Sequence, residues 1–390
     1  MLYALAPHPP KPPESVSSID ELEAYLNKLV QAGDPPGLSV AIVKDNELVY
    51  SKGFGFADGP KKIPATSDTV YQWWSMTKIP TAVAILQLHE QGLLNIDDPV
   101  KDCLPFFKVQ YPSPTSKVVT FRHLLNHSSG LPNNVPEIIG WIHGEGDPHV
   151  NQTALIKEKL PHYARLVFEP GSKAVYTNVG YMVLAAIIEA AANQTYEDYV
   201  MENILAPLKM TRTNFVYTEE MSALEAAGSH PLISIFTPFV FLFVDNRNLL
   251  IRETVKRHWW FNRIYSDQNG PTGLIGPVTD AARFMMAFLN KGELDGASIL
   301  APESVAIMID KEHVLPTSGM ESSEGEKQGL GWEVFPESNR LYYQRTGGGP
   351  GFAAIMRVYP EESLALVVMA NGTLLPDKNG LVDLMADLDW

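Results

Sequence analysis

Cysteine is nearly absent. Cys103 stands alone among 390 residues, so an internal disulfide framework is excluded, and no Cys-x-x-Cys or Cys/His cluster offers a structural zinc site. That lone thiol is expected to pack as a small buried apolar side chain. Basic charge is scarce as well: 30 Lys and Arg against 45 Asp and Glu leave a net charge of −15. Phosphate-backbone binding rests on clustered Lys and Arg, which argues against nucleic acid as a partner. No apolar run is long enough to span a bilayer. The longest, residues 232–244, has Pro238 in its middle and falls short of the roughly 20 residues a spanning helix needs. The opening Met1–Pro7 lacks the basic n-region and full h-region of a secretory signal, which favours a cytoplasmic location. Missing too are G-x-S-x-G, H-E-x-x-H, G-x-x-x-x-G-K-[ST] and a strand-to-helix G-x-G-x-x-G, so α/β-hydrolase, zincin, P-loop and dinucleotide readings lose their footing. Neither a metal nor a cofactor is expected. The oligomeric state is left open.

What is present is the composition of a soluble globular protein, 45% hydrophobic and 19% charged, long enough for two lobes or one large fold. Residues 1–18 hold a proline-rich stretch and read as an extended arm. Ser18-x-x-Glu21 ahead of Leu22, Tyr25, Leu26, Leu29 and Val30 has the form of a capping box opening an amphipathic helix. Leu38–Val43 and Glu47–Ser51 flank a polar turn and read as a hairpin. Ser75 to Gly92 turns helical, Val179–Ala192 is apolar on nearly all sides and reads as a buried helix, and residues 331–335, 341–344, 352–359 and 364–369 read as strands. Strands at both ends with helices between predict a mixed α/β (α+β) fold, an antiparallel sheet flanked by helices and carrying an inserted, mostly helical lobe. The expected boundaries are a sheet lobe from 19–74 and 270–390 and a helical lobe from 75–269. Within the latter, 229–265 reads as an insertion suited to serve as a lid.

Three elements carry chemistry. Ser75-Met76-Thr77-Lys78 is the only S-x-x-K in the chain. On a helix, residues three apart share a face about 5–6 Å apart, so the amine reaches the hydroxyl. A helix start at Ser75 also aims N–H groups and a partial positive charge at whatever the serine attacks. Tyr176-Thr177-Asn178 sits at a loop-to-helix transition. Arg345-Thr346-Gly347-Gly348-Gly349 lies between two predicted strands, and its glycines allow either a loose turn or close approach of a ligand to the backbone.

In this order and spacing the three resemble the serine β-lactamase and penicillin-binding protein superfamily, and within it the class C-like branch that includes the family VIII carboxylesterases. His123-Leu124-Leu125-Asn126-His127-Ser128-Ser129-Gly130-Leu131-Pro132, Phe168–Gly171, Asp280–Phe284 and Gly329–Trp332 extend the likeness over about residues 20–372. The resemblance implies a β-lactamase/transpeptidase-like fold and an acyl-enzyme on Ser75. Lys78 and Tyr176 would share general-base and general-acid duty, and the backbone N–H groups of Ser75 and Gly348 would form the oxyanion hole. Asn178, Arg345, Thr346, Gly347 and Trp74 would bind substrate, with Asn178 holding Lys78 or the substrate. A serine hydroxyl needs a neighbour to take its proton. Lys and Tyr near their free pKa values of about 10 are mostly protonated at neutral pH, so the pocket must lower at least one of them. Two oxyanion donors would contribute roughly 2.7–4 kcal/mol each.

The departure is Arg345, where the family usually has Lys or His. Arginine stays protonated, so it can grip a carboxylate or favour a tyrosinate but cannot relay a proton. Trp73 and Trp74 could line an acyl pocket or pack in the core. His127, beside the Ser-Ser-Gly turn, is expected to cap backbone groups. The resulting expectation is a serine carboxylesterase acting on small to medium acyl esters, with a β-lactamase or D-amino-acid peptidase/amidase as the alternative. A non-catalytic ligand-binding protein on this fold is a more distant reading.

Overall fold

The computed structural model describes residues 9–132, 141–146, 150–234, 237, 250–310, 314–318, 325–335 and 340–390. Strands from the two ends of the chain make one antiparallel sheet. They are β1 (Gly37–Lys44), β2 (Glu47–Asp58), β3 (Ile63–Pro64), β4 (Leu315–Pro316), β5 (Lys327–Gln328), β6 (Glu333–Phe335), β7 (Tyr342–Gly349), β8 (Phe352–Tyr359) and β9 (Leu364–Ala370). The order across the sheet is β4-β5-β6-β7-β8-β9-β1-β2-β3. N-terminal β1 and C-terminal β9 are central partners, with Leu38 opposite Ala370 and Lys44 opposite Leu364.

Alternation along the strands sorts side chains onto two buried faces. On β9, Leu364, Leu366 and Val368 join α1 (Ile19–Ala32) and α6 (Lys378–Ala386) in one cluster. Ala365, Val367 and Met369 join α5 (Val278–Leu289) and the helical layer in the other. That layer contains α2 (Lys78–Glu90), α3 (Gln152–Tyr163) and α4 (Asn178–Ala192), which crosses the core with Val179 to Ile188 buried.

The Ser18 hydroxyl caps α1 by accepting from Glu21 N, and Gly33 ends the helix in the left-handed region. The reciprocal half of the box is shifted by one residue, because Glu21 accepts from the backbone N–H of Ser17 at 2.8 Å. Cys103 is partly rather than fully buried, at the margin of the larger core.

Within 229–265, Ser229–Pro231, Ile251–Val255 and His258–Phe261 form a small three-stranded sheet. It docks through Arg252, which clasps Asp58 with two 2.9 Å bonds, and through Trp260, which lies over Gly59. Most of the apolar stretch 232–244 lies outside the described residues. No helix among the described residues is long and apolar enough to cross a membrane.

Candidate active site

The nucleophile turn is built between two supports. Trp74–Thr77 is a 3-10 turn that runs directly into α2, so the expected helix opens with one tight turn at Ser75. Residues 270–276 hold its outer side: Trp73 N donates to Leu274 O at 2.8 Å, Trp73 Nε1 to Gly276 O at 3.3 Å, and Leu274 N to Thr77 Oγ1 at 3.2 Å. β7 passes on the other side. A Cβ on Gly347 would lie 2.2 Å from Trp73 O, and one on Gly349 would lie 2.4 Å from the Trp74 ring. Only glycine lets the strand come this close. Trp74 itself has φ of +47°, a left-handed conformation that costs a bulky residue on the order of 1–3 kcal/mol and persists only where packing over-determines it.

Ser75, Lys78, Tyr176 and Asn178 meet. Lys78 Nζ donates to Ser75 Oγ at 3.0 Å and to Pro271 O at 3.2 Å, and its side chain is fully buried. The ammonium lies 4.8 Å from the ring centroid of Tyr176 and 5.6 Å from that of Tyr181, within cation–π reach of both. Ser75 Oγ and Tyr176 Oη are 2.5 Å apart, and Tyr176 Oη donates to Asn178 Oδ1 at 3.1 Å. Because the phenol donates to Asn178, its oxygen is left to accept from Ser75. The donor direction therefore runs from Lys78 to Ser75 to Tyr176 to Asn178. A helix start lies behind the two catalytic-motif elements, α2 following Ser75 and α4 beginning at Asn178.

The expectations for the glycine-rich strand divide. Gly348 is exposed beside the nucleophile turn, and open space surrounds the place where its Cβ would be. Thr346 is half-buried and Gly347 buried against Trp73. β7 extends through these glycines to Gly349, where the sequence suggested only 341–344, because the strand is sealed by its contact with the nucleophile turn. Trp74 is 4% exposed. Its indole packs into the core against Gly349 and does not present an open face to substrate.

Arg345 does not fit a substrate-gripping role. It is completely buried, and its guanidinium donates to Gly331 O at 2.8 Å, Glu333 Oε1 at 3.2 Å and Gln328 Oε1 at 3.3 Å. It sits 5.9 Å from the Tyr176 ring centroid, beneath the site. Burial raises the Glu333 carboxyl above its ordinary range, and Arg345 opposes that rise. The sequence reading missed Glu333, Gln328, Pro271 and Tyr181. Gly329–Trp332 carried a signal for the first pair, since it leads straight into Glu333 on the strand beside Arg345. His127 caps as expected: it is fully buried, and its Nδ1 accepts from Thr177 N at 3.2 Å.

The Beta-lactamase family model matches residues 22–389, and the chain belongs to that family. Penicillin-binding protein 4* of Bacillus subtilis (strain 168) is 28% identical over 342 residues, 85% of this chain and 67% of that protein. Protein flp of Staphylococcus aureus (strain N315) is 31% identical over 222 residues, 56% of this chain and only 43% of its own length. Among solved structures, D-amino acid amidase from Ochrobactrum anthropi SV3 superposes with a TM-score of 0.75 at 23% identity, over 94% of this chain and 98% of that one. EstCE1, described as a hydrolase with promiscuous acyltransferase activity, superposes at 0.69 with 20% identity over 90% and 93%. That membership places the protein in the serine β-lactamase and penicillin-binding protein superfamily.

Proposed function

We propose that the protein is a carboxylesterase that cleaves small to medium acyl esters through an acyl-enzyme on Ser75. The observation that carries this reading is the continuous chain from Lys78 through Ser75 and Tyr176 to Asn178. Attack by Ser75 Oγ on the ester carbonyl requires loss of the serine proton; Tyr176 Oη, 2.5 Å away, receives it in the phenolate form, after the proton it shares with Asn178 has left to solvent and with the Lys78 ammonium over its ring. Lys78 is the cation on Ser75 Oγ and over the Tyr176 ring, and favours negative charge that develops on either residue. Tyr176 then returns the proton to the departing alkoxide, and the same pair activates water for deacylation. The Ser75 and Gly348 N–H groups serve as oxyanion donors. The 270–276 strap and β7 hold the two halves of this hole in place. In this reading the sheet lobe and the inserted helical lobe meet at Ser75.

Neutral esters are preferred over carboxylate-bearing β-lactams or peptides because Arg345, the cation expected to grip such a carboxylate, is buried and engaged with Glu333. The second reading, a D-amino-acid amidase or β-lactamase, draws support from the superposition with the amidase. Parallel assays with a chromogenic short-chain ester, a chromogenic cephalosporin and a D-alanyl dipeptide separate the two. The ester should be the best substrate, and its turnover should vanish in Ser75→Ala. Wild type inert toward all three, or Ser75→Ala with full esterase activity, would sink the proposal.

A further inference from the structure

His127 grips the chain on both sides of Tyr176. The N–H of Val175 donates to His127 O at 2.9 Å, and the N–H of Thr177 donates to His127 Nδ1 at 3.2 Å. The imidazole also packs at a tilt against the two aromatic rings of the site, 4.7 Å and 42° from Tyr176 and 5.1 Å and 38° from Tyr181, centroid to centroid. One residue thus holds the backbone before Tyr176 and the backbone after it, and packs against its ring. His127 holds this position with a φ of +59°, a left-handed conformation that histidine, like asparagine and aspartate, adopts more readily than most residues.

We infer that His127 is a positioning residue for the general base, holding Tyr176 Oη at hydrogen-bond distance from Ser75 by clamping residues 175 and 177. The inference rests on the proposed acyl-enzyme reading and gives a role within it to a residue outside the three elements that carry the chemistry. An acceptor at Nδ1 places the ring proton on Nε2, which is buried without a hydrogen-bond partner among the described residues. A second proton, on Nδ1, would set an N–H against the N–H of Thr177 and open the clamp. The surroundings resist that proton. Arg345 from β7 and Lys78 from α2 face the ring, Tyr176 and Tyr181 cover it, and burial with these two cations holds its pKa well below the usual histidine range. The arrangement keeps His127 a neutral acceptor wherever the enzyme works.

The acceptor can be separated from the ring. In His127→Asn, the amide Oδ1 occupies the position of Nδ1 and asparagine tolerates a positive φ, so the bond to Thr177 is kept. His127→Phe keeps an aromatic disc and loses the acceptor. His127→Ala loses both. The readouts are kcat and KM for p-nitrophenyl butyrate, the rate at which an aryl phosphonate labels Ser75, and the thermal midpoint, all on the full chain. For His127→Phe and His127→Ala, kcat and the labelling rate should each fall on the order of a hundredfold, the effect of about an ångström of misplacement, with KM little changed. His127→Asn should stay within about fivefold of wild type, since it keeps the hydrogen bond whose loss is costly. If His127→Ala does not fold, the contrast between Phe and Asn decides. A wild type inert to both probes overturns the hydrolase reading and this inference with it. A wild type labelled at Ser75 alongside a His127→Phe variant of equal rate overturns the inference alone. So does an Asn variant as impaired as Phe.

Discussion

The two faces of the sheet each bury an arginine, and the two are used differently. Arg345 on β7 and Arg357 on β8 belong to neighbouring strands but to opposite faces, since Gln344 is the residue paired with Arg357 and Met356 the one paired with Arg345. Toward the terminal helices, Arg357 donates to Gln344 Oε1 and Asn379 Oδ1 at 2.9 Å, to Tyr359 Oη at 3.1 Å and to Asp383, while stacking over Tyr342. It ties α6 to the sheet. Toward the helical lobe, Arg345 is just as completely enclosed, but what lies across from it is the ring of Tyr176. Burial and ion pairing alone do not mark a residue of the site. The distinction comes from what shares the cation's field, and on the site face that is the Lys78–Ser75–Tyr176 chain.

The strongest way to sharpen this contrast is Ser75→Ala. Removing the nucleophile should lower kcat/KM by at least about 10⁴-fold, as expected when one member of a concerted catalytic set is lost. The thermal midpoint should stay near wild type, because Ser75 is a small residue at the edge of the core. Comparable residual turnover would place the chemistry elsewhere.

Next in size is the pair Arg345→Met and Arg357→Met, read by denaturant unfolding and ester turnover. Losing Arg345 strands Glu333, whose side chain is 12% exposed, whereas losing Arg357 leaves Asp383, which is 59% exposed and can hydrate. Breaking a buried pair costs about 3–5 kcal/mol when the partner stays buried. Arg345→Met is therefore expected at that level and Arg357→Met below it. Folded Arg357→Met should turn over ester normally. Folded Arg345→Met should lose activity equally on neutral and carboxylate-bearing substrates. A selective loss on carboxylates would restore the gripping role that the buried geometry argues against.

The difference between the faces was only partly legible in the sequence. Local signals worked where local physics decides: Ser18 and Gly33 bound α1, short apolar runs separated by polar turns marked β8 and β9, and Ser75-x-x-Lys78 implied one helical face. The run Gly347-Gly348-Gly349 was ambiguous. Whether glycines loosen a turn or admit a neighbour depends on Trp73 and Trp74, about 270 residues earlier in the chain, and periodicity carries no such contact. Arg345 looked available because arginine is rarely enclosed without a partner, and its partner Glu333 sits on a separate strand. The Val175 and Thr177 bonds to His127 are likewise long-range. The sequence suggested that this histidine caps a backbone group, but not that the group adjoins Tyr176.

A smaller effect separates the site from the small 229–261 sheet. His230 is fully buried there, and burial aided by His258 lowers its pKa to about 4. Its unfolded value is about 6.5, so below pH 6.5 the unfolded chain takes up a proton that the folded one refuses. Its share of stability is complete above pH 6.5 and is lost as pH falls toward 4, amounting to about 3 kcal/mol. His230→Gln should flatten that limb of the stability curve without altering ester turnover at neutral pH. Asp34 has the opposite sign, since burial raises its carboxyl to about 7 and its contribution is lost as pH rises through that value. The net wild-type slope mixes both. The comparison must therefore be made between variants; an unchanged acid limb in His230→Gln would show that His230 is hydrated.

The least costly change tests whether the two faces are energetically independent. Ser18 caps α1, which packs only on the terminal-helix face. Ser18→Ala removes one acceptor for a helix N–H, worth about 1 kcal/mol, and Glu21 cannot take its place because its carboxylate is committed to Ser17. Denaturant titration should show that modest loss, while kcat and KM for ester stay at wild-type values. The sheet is close-packed and can transmit strain, so this outcome is not trivial. A fall in kcat would mean that a shift in α1 reaches β7 through β1 and β9 and moves Gly348 relative to Ser75. The oxyanion hole would then depend on the terminal helices as well as on the turn that carries the nucleophile.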